Sequence, residues 1–209
     1  MRILIADDHA VVRQGLKQIL ADKFPAAEFG EAGNAGEVMD FVWKQEWDIA
    51  VLDITMPGRS GLDALKDLRQ ARPKLPVLVL SAHPEDQYAM RVLKAGASGY
   101  MTKDRAPEEL VEAVKKVLDG GKYVSPMLAE KLAVHLQTDT ERPVHETLSD
   151  REFQVLRMIA TGKALKEIAA ELSLSEKTVG TYHTRLLEKM RMHSDVELTR
   201  YAIESRLVD

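Results

Sequence analysis

Short apolar runs alternate with helical patterns through the first half of the chain. The runs are rich in Ile, Leu and Val, which is typical of strands buried on both faces of a parallel sheet. Between them, apolar residues such as Leu16, Ile19 and Leu20 recur at helical spacing. Five such β-α units predict an α/β fold, a doubly wound five-stranded parallel sheet over residues 1–118. The predicted strands are residues 2–6, 28–32, 49–52, 77–80 and 99–101.

The second half of the chain carries helical signals only. Ser149 and Glu152 have the spacing of a capping box that opens a first helix, and Ser175 is placed to cap a third. Residues 147–209 are therefore predicted to form a small all-α domain of four helices. Residues 119–146 combine a short amphipathic stretch with a polar, proline-containing run, which predicts a linker with a short helix.

Composition narrows the possible functions. The chain has 209 residues, of which 45% are hydrophobic and 30% charged, and it has no cysteine. Disulfides and thiolate metal sites are thereby excluded. No apolar span approaches the 18 residues of a membrane helix, and Asp7 and Asp8 follow the first apolar run too early for a signal peptide. A cytoplasmic protein without a membrane partner is expected. Residues 147–209 carry ten Lys/Arg and ten Asp/Glu, so net charge does not mark a nucleic-acid interface.

Polar side chains follow four of the predicted strands. Asp7 and Asp8 end the first strand, Asp53 ends the third, Ser81 ends the fourth, and Lys103 follows the fifth. Because the carboxyl ends of parallel strands meet at one edge of a sheet, these side chains should converge. Clustered carboxylates need a cation or raised pKa values, and Mg²⁺ prefers oxygen ligands. The pattern therefore predicts a magnesium site beside a carboxylate that receives a phosphoryl group. None of the six histidines has metal-ligand spacing, so no metal beyond Mg²⁺ is expected.

Several motifs around these residues resemble a known family. Residues 1–118 resemble the flavodoxin-like receiver domain of two-component response regulators, and residues 147–209 resemble the LuxR-type helix-turn-helix domain. The whole chain is similar to the NarL/FixJ subfamily of transcription regulators. The motifs are ILIADDH at residues 3–9, VLDITMPG at 51–58, VLSA at 79–82, AGASGYMTK at 95–103 and LSDRE at 148–152.

The resemblance implies roles for the residues at the sheet edge. Asp53 would accept a phosphoryl group from the phosphohistidine of a sensor histidine kinase, with Ser81 and Lys103 contacting the phosphoryl oxygens. Asp8, Asp53 and the backbone carbonyl of Thr55 would bind Mg²⁺, and Asp7 would assist.

A switch pair is also implied by the resemblance. The Ser81 hydroxyl would swing toward the phosphate, and the Tyr100 ring would turn inward behind it. Thr55 and His83, each two residues beyond a site residue, are expected to flank the path of the water that attacks the phosphoryl group. Their size and hydrogen bonding would then set the rate of autodephosphorylation.

In the second domain, the helix that begins after Ser175 would enter the major groove of double-stranded DNA. Its expected DNA contacts are Lys177, Thr178, Gly180, Thr181, Tyr182, Thr184, Arg185 and Lys189. The fourth helix pairs two DNA-bound copies in the family, so a homodimer is expected. A core role for part of this helix fits its amphipathic pattern equally well. The residues expected at that interface are Val196, Thr199, Arg200 and Ile203. RNA polymerase is a further candidate partner.

Two other functions fit parts of the pattern. Aspartate-nucleophile phosphatases also use Mg²⁺ and a strand-end aspartate, but they require a second acid two residues later, where this chain has Thr55. A degenerate receiver used only for protein contacts would not need the complete set of site residues. The favoured function is a phosphorylation-dependent transcription regulator that turns over no external substrate.

Overall fold

The structure is a computed structural model that describes residues 1–56, 59–137 and 143–208. The chain divides into two compact units, Met1–Gln137 and Thr138–Asp209. Two stretches of the sequence pattern lie outside the described residues, namely Pro57 and Gly58 at the end of the VLDITMPG motif and residues 138–142 of the predicted linker. No helix in the described part of the chain is long and apolar enough to cross a membrane.

The first unit is built on a five-stranded, all-parallel sheet with the strand order β2-β1-β3-β4-β5. The predicted fold class is confirmed, and the predicted strands differ from the observed ones by at most one residue. All five residues of β3 and of β4 are buried, which explains their unbroken apolar sequences. The strands are β1 (Arg2–Ala6), β2 (Glu28–Ala32), β3 (Ile49–Asp53), β4 (Val77–Ser81) and β5 (Gly99–Thr102).

Six helices accompany the sheet. Leu16 and Leu20 of α1 and Leu110 and Val114 of α5 share one apolar core with the strands, while α2 packs against α3. This covering of the sheet leaves its carboxyl edge for polar side chains. The helices are α1 (Ala10–Lys23), α2 (Ala35–Lys44), α3 (Gly61–Ala71), α4 (Glu85–Lys94), α5 (Ala106–Leu118) and α6 (Pro126–Gln137).

The first unit extends beyond Leu118, where the sequence pattern had placed the start of a linker. Tyr123 forms an isolated parallel bridge with Gly99 of the edge strand β5, and α6 contacts α4. An edge strand exposes unpaired backbone groups that a protein must cover. The residues after α5 cover this edge, so they belong to the first unit as far as Gln137.

The described part of the second unit, residues 143–208, contains four α-helices, as predicted. Val179, Leu186 and Met190 of α9 are buried in its core, whereas Leu187, which has the same helical spacing, is half-buried. The helices are α7 (Asp150–Ala160), α8 (Leu165–Glu171), α9 (Glu176–Met190) and α10 (Asp195–Glu204). The Ser175 hydroxyl accepts a hydrogen bond from the Thr178 N–H and thereby caps α9, as its sequence position predicts.

A close backbone contact at Gly61 fixes the end of β3. The Gly61 N–H donates to the Ile54 carbonyl at 3.1 Å. A Cβ atom at this position would lie 1.8 Å from the backbone oxygen of Asp53. Only glycine therefore allows α3 to start directly against the strand end that carries Asp53.

We expect Gly61→Ala to destabilise the first unit by roughly 1–3 kcal/mol, because the new methyl group forces the backbone of β3 or α3 to move. Gly15→Ala is the matched control, since nothing lies within 4 Å of a Cβ at this position in α1. That change should stabilise the helix by up to about 1 kcal/mol. Urea unfolding followed by the fluorescence of the two tryptophans, Trp43 and Trp47, reports on this unit. Equal stabilities of the two variants would contradict the close contact.

Candidate functional site

Three side chains meet where β1, β3 and β5 end. Lys103 Nζ lies 2.6 Å from Asp7 Oδ2 and 2.7 Å from Asp53 Oδ2. Both carboxylates are almost fully buried, with about 1% of each side chain exposed. The convergence expected from the strand ends is therefore present for Asp7, Asp53 and Lys103, and one ammonium group bridges two buried carboxylates.

The environment changes the acidity of these groups. Burial raises the pKa of Asp53 to about 6, although the hydrogen bond and charge of Lys103 and the Thr55 N–H lower it. Burial lowers the pKa of Lys103, but the hydrogen bonds and charges of Asp53 and Asp7 outweigh it, so the net shift is upward. The lysine therefore stays an ammonium. A further cation near Asp53 would favour its charged form, which burial disfavours.

Asp8 adds a further carboxylate to this edge. Asp7, Asp8, His9 and Asp53 each offer a ligand atom, and these four atoms lie within 4.8 Å of one another. The Oδ1 atom of Asp8 is buried and has no hydrogen-bond partner among the described residues. A set of carboxylate oxygens with one unpaired member fits the requirements of a divalent cation.

The predicted switch residues both contact His83. The Ser81 hydroxyl accepts a hydrogen bond from the His83 N–H at 3.0 Å. The Tyr100 ring is fully buried, and its hydroxyl donates to the His83 carbonyl at 2.7 Å. The ring thus occupies an inward position, and its movement on phosphorylation stays a prediction. His83 also stacks on Tyr88, with ring centroids 4.9 Å apart. Thr55 is exposed, and its N–H donates to Asp53 Oδ1 at 2.9 Å.

Residues 122–128, the covering segment, bind the edge of the sheet beside Tyr100. The Tyr100 N–H donates to the Tyr123 carbonyl and the Tyr123 N–H donates to the Ser98 carbonyl, both at 3.0 Å. A Cβ atom at Gly99 would lie 2.7 Å from the Tyr123 carbonyl oxygen, so glycine is needed for this approach. The Tyr123 hydroxyl donates to Glu109 of α5. The covering segment is thereby attached to both β5 and α5.

Ser125 joins the covering segment to α4. Its hydroxyl donates to Glu85, the first residue of α4, and accepts from the Leu128 N–H at 3.1 Å. Ser125 therefore caps α6 and contacts α4 with the same oxygen. These contacts were not predicted from the sequence, although a serine followed by Pro126 is a recognisable helix-start signal.

The face of α9 expected to contact DNA is largely exposed. Lys177, Thr181, Thr184 and Arg185 are exposed, while Thr178, Gly180 and Tyr182 are half-buried. The Thr181 hydroxyl donates to the Lys177 carbonyl at 3.0 Å, and the Thr184 hydroxyl donates to the Gly180 carbonyl at 3.1 Å. With their protons engaged in the helix, both threonines offer acceptor lone pairs and methyl groups to a partner.

Lys189, also expected at the DNA surface, forms an ion pair inside its own unit. Its Nζ lies 2.7 Å from Glu152 Oε2, and Glu152 has only 3% of its side chain exposed. The Ser149 N–H donates to the same oxygen at 2.7 Å. Burial raises the pKa of Glu152, but Lys189 and Ser149 outweigh it and hold the pKa below the ordinary value of 4.5. The pair fixes α9 against the start of α7.

The residues expected at a dimer interface lie along α10. Val196 and Ile203 are exposed apolar side chains, with 78% and 54% of their surfaces accessible. They line one shallow groove together with Thr199 and Arg200. His183 Nε2 of α9 lies 2.6 Å from Asp195 Oδ1 at the start of α10. This contact links α9 to the first residue of α10.

Comparison with known families follows the division into two units. Residues 3–115 match the response regulator receiver domain. Residues 146–202 match the LuxR family of bacterial regulatory proteins. The chain belongs to the two-component response regulators.

Relatives of this response regulator match it over its whole length. It is 36% identical to the response regulator GacA of Pseudomonas aeruginosa, over 100% of this chain and 98% of GacA. It is 33% identical to the response regulator UvrY of Escherichia coli, over 99% of this chain and 95% of UvrY. RcsB from Salmonella enterica, solved bound to the promoter rprA with the phosphomimetic BeF₃⁻, is 26% identical with a TM-score of 0.66. That match covers 96% of this chain and 97% of RcsB. The resemblance drawn from the motifs, a transcription regulator with a receiver and a LuxR-type domain, is confirmed.

In this response regulator we expect Glu152→Gln to destabilise the second unit by about 1–3 kcal/mol, because Lys189 loses the buried carboxylate that it pairs with. Glu171→Gln is the matched control, since Glu171 forms an exposed pair with Lys163 and should change stability by less than about 1 kcal/mol.

The same pair predicts a pH dependence. Because the folded state lowers the pKa of Glu152, its stabilising contribution is complete above the ordinary value of 4.5 and is lost as the pH falls through the folded value. The free energy of unfolding of the second unit can be measured by urea unfolding, followed by amide NMR signals of α7 and α9. In Glu152→Gln this free energy should lose the part of its decrease at acid pH that comes from Glu152. An unchanged decrease at acid pH in that variant would contradict the assignment.

Proposed function

We propose that Asp53 is the phosphoacceptor of this response regulator and that phosphorylation there controls DNA binding by α9. The observation that carries the proposal is the buried Asp53 carboxylate, held 2.7 Å from Lys103 Nζ beside Asp7. The BeF₃⁻ complex of RcsB with a promoter is consistent with the same order of events. DNA as the partner implies that the protein works in the bacterial cytoplasm.

The phosphoryl donor is a sensor kinase that carries a phosphohistidine. An Asp53 oxygen forms a bond to phosphorus as the bond between phosphorus and the donor's nitrogen breaks, which gives an acyl phosphate. Asp8, Asp53 and the Thr55 carbonyl would hold Mg²⁺, with Asp7 assisting; when bound, Mg²⁺ neutralises charge on the transferring group. On phosphorylation Lys103 gives up its contact with Asp53 and binds a phosphoryl oxygen. The Ser81 hydroxyl gives up the hydrogen bond that it accepts from the His83 N–H and contacts a second phosphoryl oxygen.

The lifetime of the phosphorylated state depends on the residues near the acyl phosphate. Thr55 is exposed and follows Asp53 closely, while His83 is half-buried with its ring against Tyr88. We propose that these two side chains limit the approach of water. Because Thr55 stands where a phosphatase would carry its second acid, the reaction is confined to the protein's own phosphoryl group and no external substrate is turned over.

The signal leaves the receiver through the covering segment. Ser125 contacts Glu85 at the start of α4, and Tyr123 pairs with the strand that carries Tyr100. A movement of α4 or β5 on phosphorylation must break or carry along these contacts, and with them the cap of α6. In sequence, α6 leads to the DNA-binding unit, where α9 would bind the major groove and α10 would pair two copies.

Asp53→Asn should abolish labelling by acetyl phosphate in the presence of Mg²⁺, because the amide cannot form the acyl phosphate. Asp48→Asn is the matched control. It precedes the same strand at the opposite edge of the sheet, where its carboxylate accepts the Arg2 N–H, and labelling should persist. Mass spectrometry of the intact protein measures both. Full labelling of Asp53→Asn at another residue would overturn the assignment.

Ser125→Ala should leave labelling intact but reduce the difference in DNA affinity between the phosphorylated and unphosphorylated protein. The reason is that α6 loses both its cap and its contact with α4. Glu130→Gln, an exposed change on α6, is the control and should keep the full difference. Fluorescence anisotropy of a labelled operator duplex measures the affinities. If Ser125→Ala keeps the wild-type difference in DNA affinity between the two states, the signal does not pass through the covering segment.

Gly180→Lys should tighten binding to unrelated DNA, because nothing lies within 4 Å of a Cβ at this position and an added ammonium can reach a phosphate. The logarithmic salt dependence should steepen by about one unit. Gly180→Ala is the control, since it gains about 1 kcal/mol of helix propensity without a charge. If the salt slopes of the two variants agree, position 180 lies outside the DNA interface. Selective weakening on the operator would instead show that glycine permits close backbone approach.

A further inference from the structure

His9 stands at the N-cap position of α1 but does not cap the helix. Its backbone is extended, with φ −89° and ψ 107°, and its side chain accepts no hydrogen bond from the first turn. The ring instead lies beside the carboxylates at the sheet edge. Its Nδ1 atom is 2.7 Å from Asp8 Oδ1 and 3.4 Å from Asp7 Oδ1. Sequence spacing alone does not reveal this placement of His9.

The contact between His9 and Asp8 does not have the geometry of a hydrogen bond. Asp8 Oδ1 is buried and has no hydrogen-bond partner among the described residues, although His9 Nδ1 lies 2.7 Å away. Neighbouring ligands of an octahedral ion lie about 3.0 Å apart when the metal–ligand bonds are about 2.1 Å long. The distances from His9 Nδ1 to Asp8 Oδ1 and to Asp7 Oδ1, 2.7 and 3.4 Å, lie on either side of that value. The nitrogen and the oxygens are thus spaced like adjacent ligands that share one ion.

An imidazole nitrogen changes which ion such a site prefers. Mg²⁺ takes oxygen ligands and retains several waters. First-row transition metals gain more from a nitrogen ligand, and their affinity for mixed nitrogen and oxygen sites rises along the Irving–Williams order. His9 is exposed over 67% of its side chain, so the ring can adjust to an ion without disturbing the core.

We propose that His9 is a metal ligand in this receiver and that it makes the site favour a first-row transition metal ion over Mg²⁺. The inference rests on the metal site of the proposed function, formed with Asp8 and Asp53. It adds one nitrogen donor to that site and names the class of ion that the donor selects.

The test compares Mn²⁺ and Mg²⁺ binding to the full-length protein and to His9→Ala, by calorimetry for both ions and by the EPR signal of free Mn²⁺. Loss of a single supporting contact to a metal ligand typically lowers affinity 10- to 100-fold. We therefore expect His9→Ala to weaken Mn²⁺ binding by about tenfold or more, and Mg²⁺ binding distinctly less. His193→Ala, a change of an exposed histidine in the second unit, should leave both affinities unchanged.

Pulsed EPR of Mn²⁺ bound to protein with ¹⁵N-labelled histidine gives a readout that a structural role of His9 would not move. A nitrogen coupling should be present in the wild type and in His193→Ala and absent in His9→Ala. If Asp8→Asn abolishes binding of both ions while His9→Ala changes neither the affinity ratio nor the coupling, this inference is wrong and the metal site stands. If Asp8→Asn leaves binding unchanged, the proposed metal site itself fails.

Discussion

The receiver depends on one electrostatic constraint, the bridging of two buried carboxylates by one ammonium. Asp7 and Asp53 end neighbouring strands, so the parallel sheet forces them together. Without Lys103 the two charges would face each other in a poorly solvated space, where repulsion is large. Lys103 relieves this repulsion, but burial still raises the pKa of Asp53 to about 6. The site is therefore stable as folded, yet it retains an unmet demand for positive charge.

The same edge of the sheet joins the charged site to the rest of the first unit. Gly61 allows α3 to begin against the backbone of Asp53. The His83 carbonyl accepts a hydrogen bond from the Tyr100 hydroxyl, and the His83 N–H donates to the Ser81 hydroxyl. Tyr100 in turn donates its N–H to Tyr123 in the covering segment. Each contact is short and specific, so a displacement at Asp53 has few ways to be absorbed locally. A chain of packed and hydrogen-bonded groups with two arrangements can carry such a displacement.

Much of the fold and of the site could be predicted because both follow local sequence rules. The strands are continuous apolar runs, and Asp7, Asp53 and Lys103 follow strand ends that parallel topology brings together. The covering segment escaped prediction because its contacts join residues far apart in the chain, such as Ser125 with Glu85, and no local periodicity encodes them. The hydrogen bond of the Tyr100 hydroxyl escaped prediction for the same reason, because its acceptor is a carbonyl 17 residues away in sequence.

Each unit contains a buried carboxylate that meets a lysine from a distant segment, and the two pairs differ in a way that matches their tasks. Glu152 lies at the start of α7, where the Ser149 N–H and Lys189, 37 residues away, satisfy it so well that its pKa falls. Such a pair fixes one geometry and holds α9 against the start of α7. Asp53 meets Lys103, 50 residues away, and shares it with Asp7, but burial outweighs the effect of Lys103 and raises the pKa of Asp53. In the function proposed above, a metal ion and a phosphoryl group act on the carboxylate whose charged form burial disfavours, whereas the fully paired carboxylate holds its helix in position.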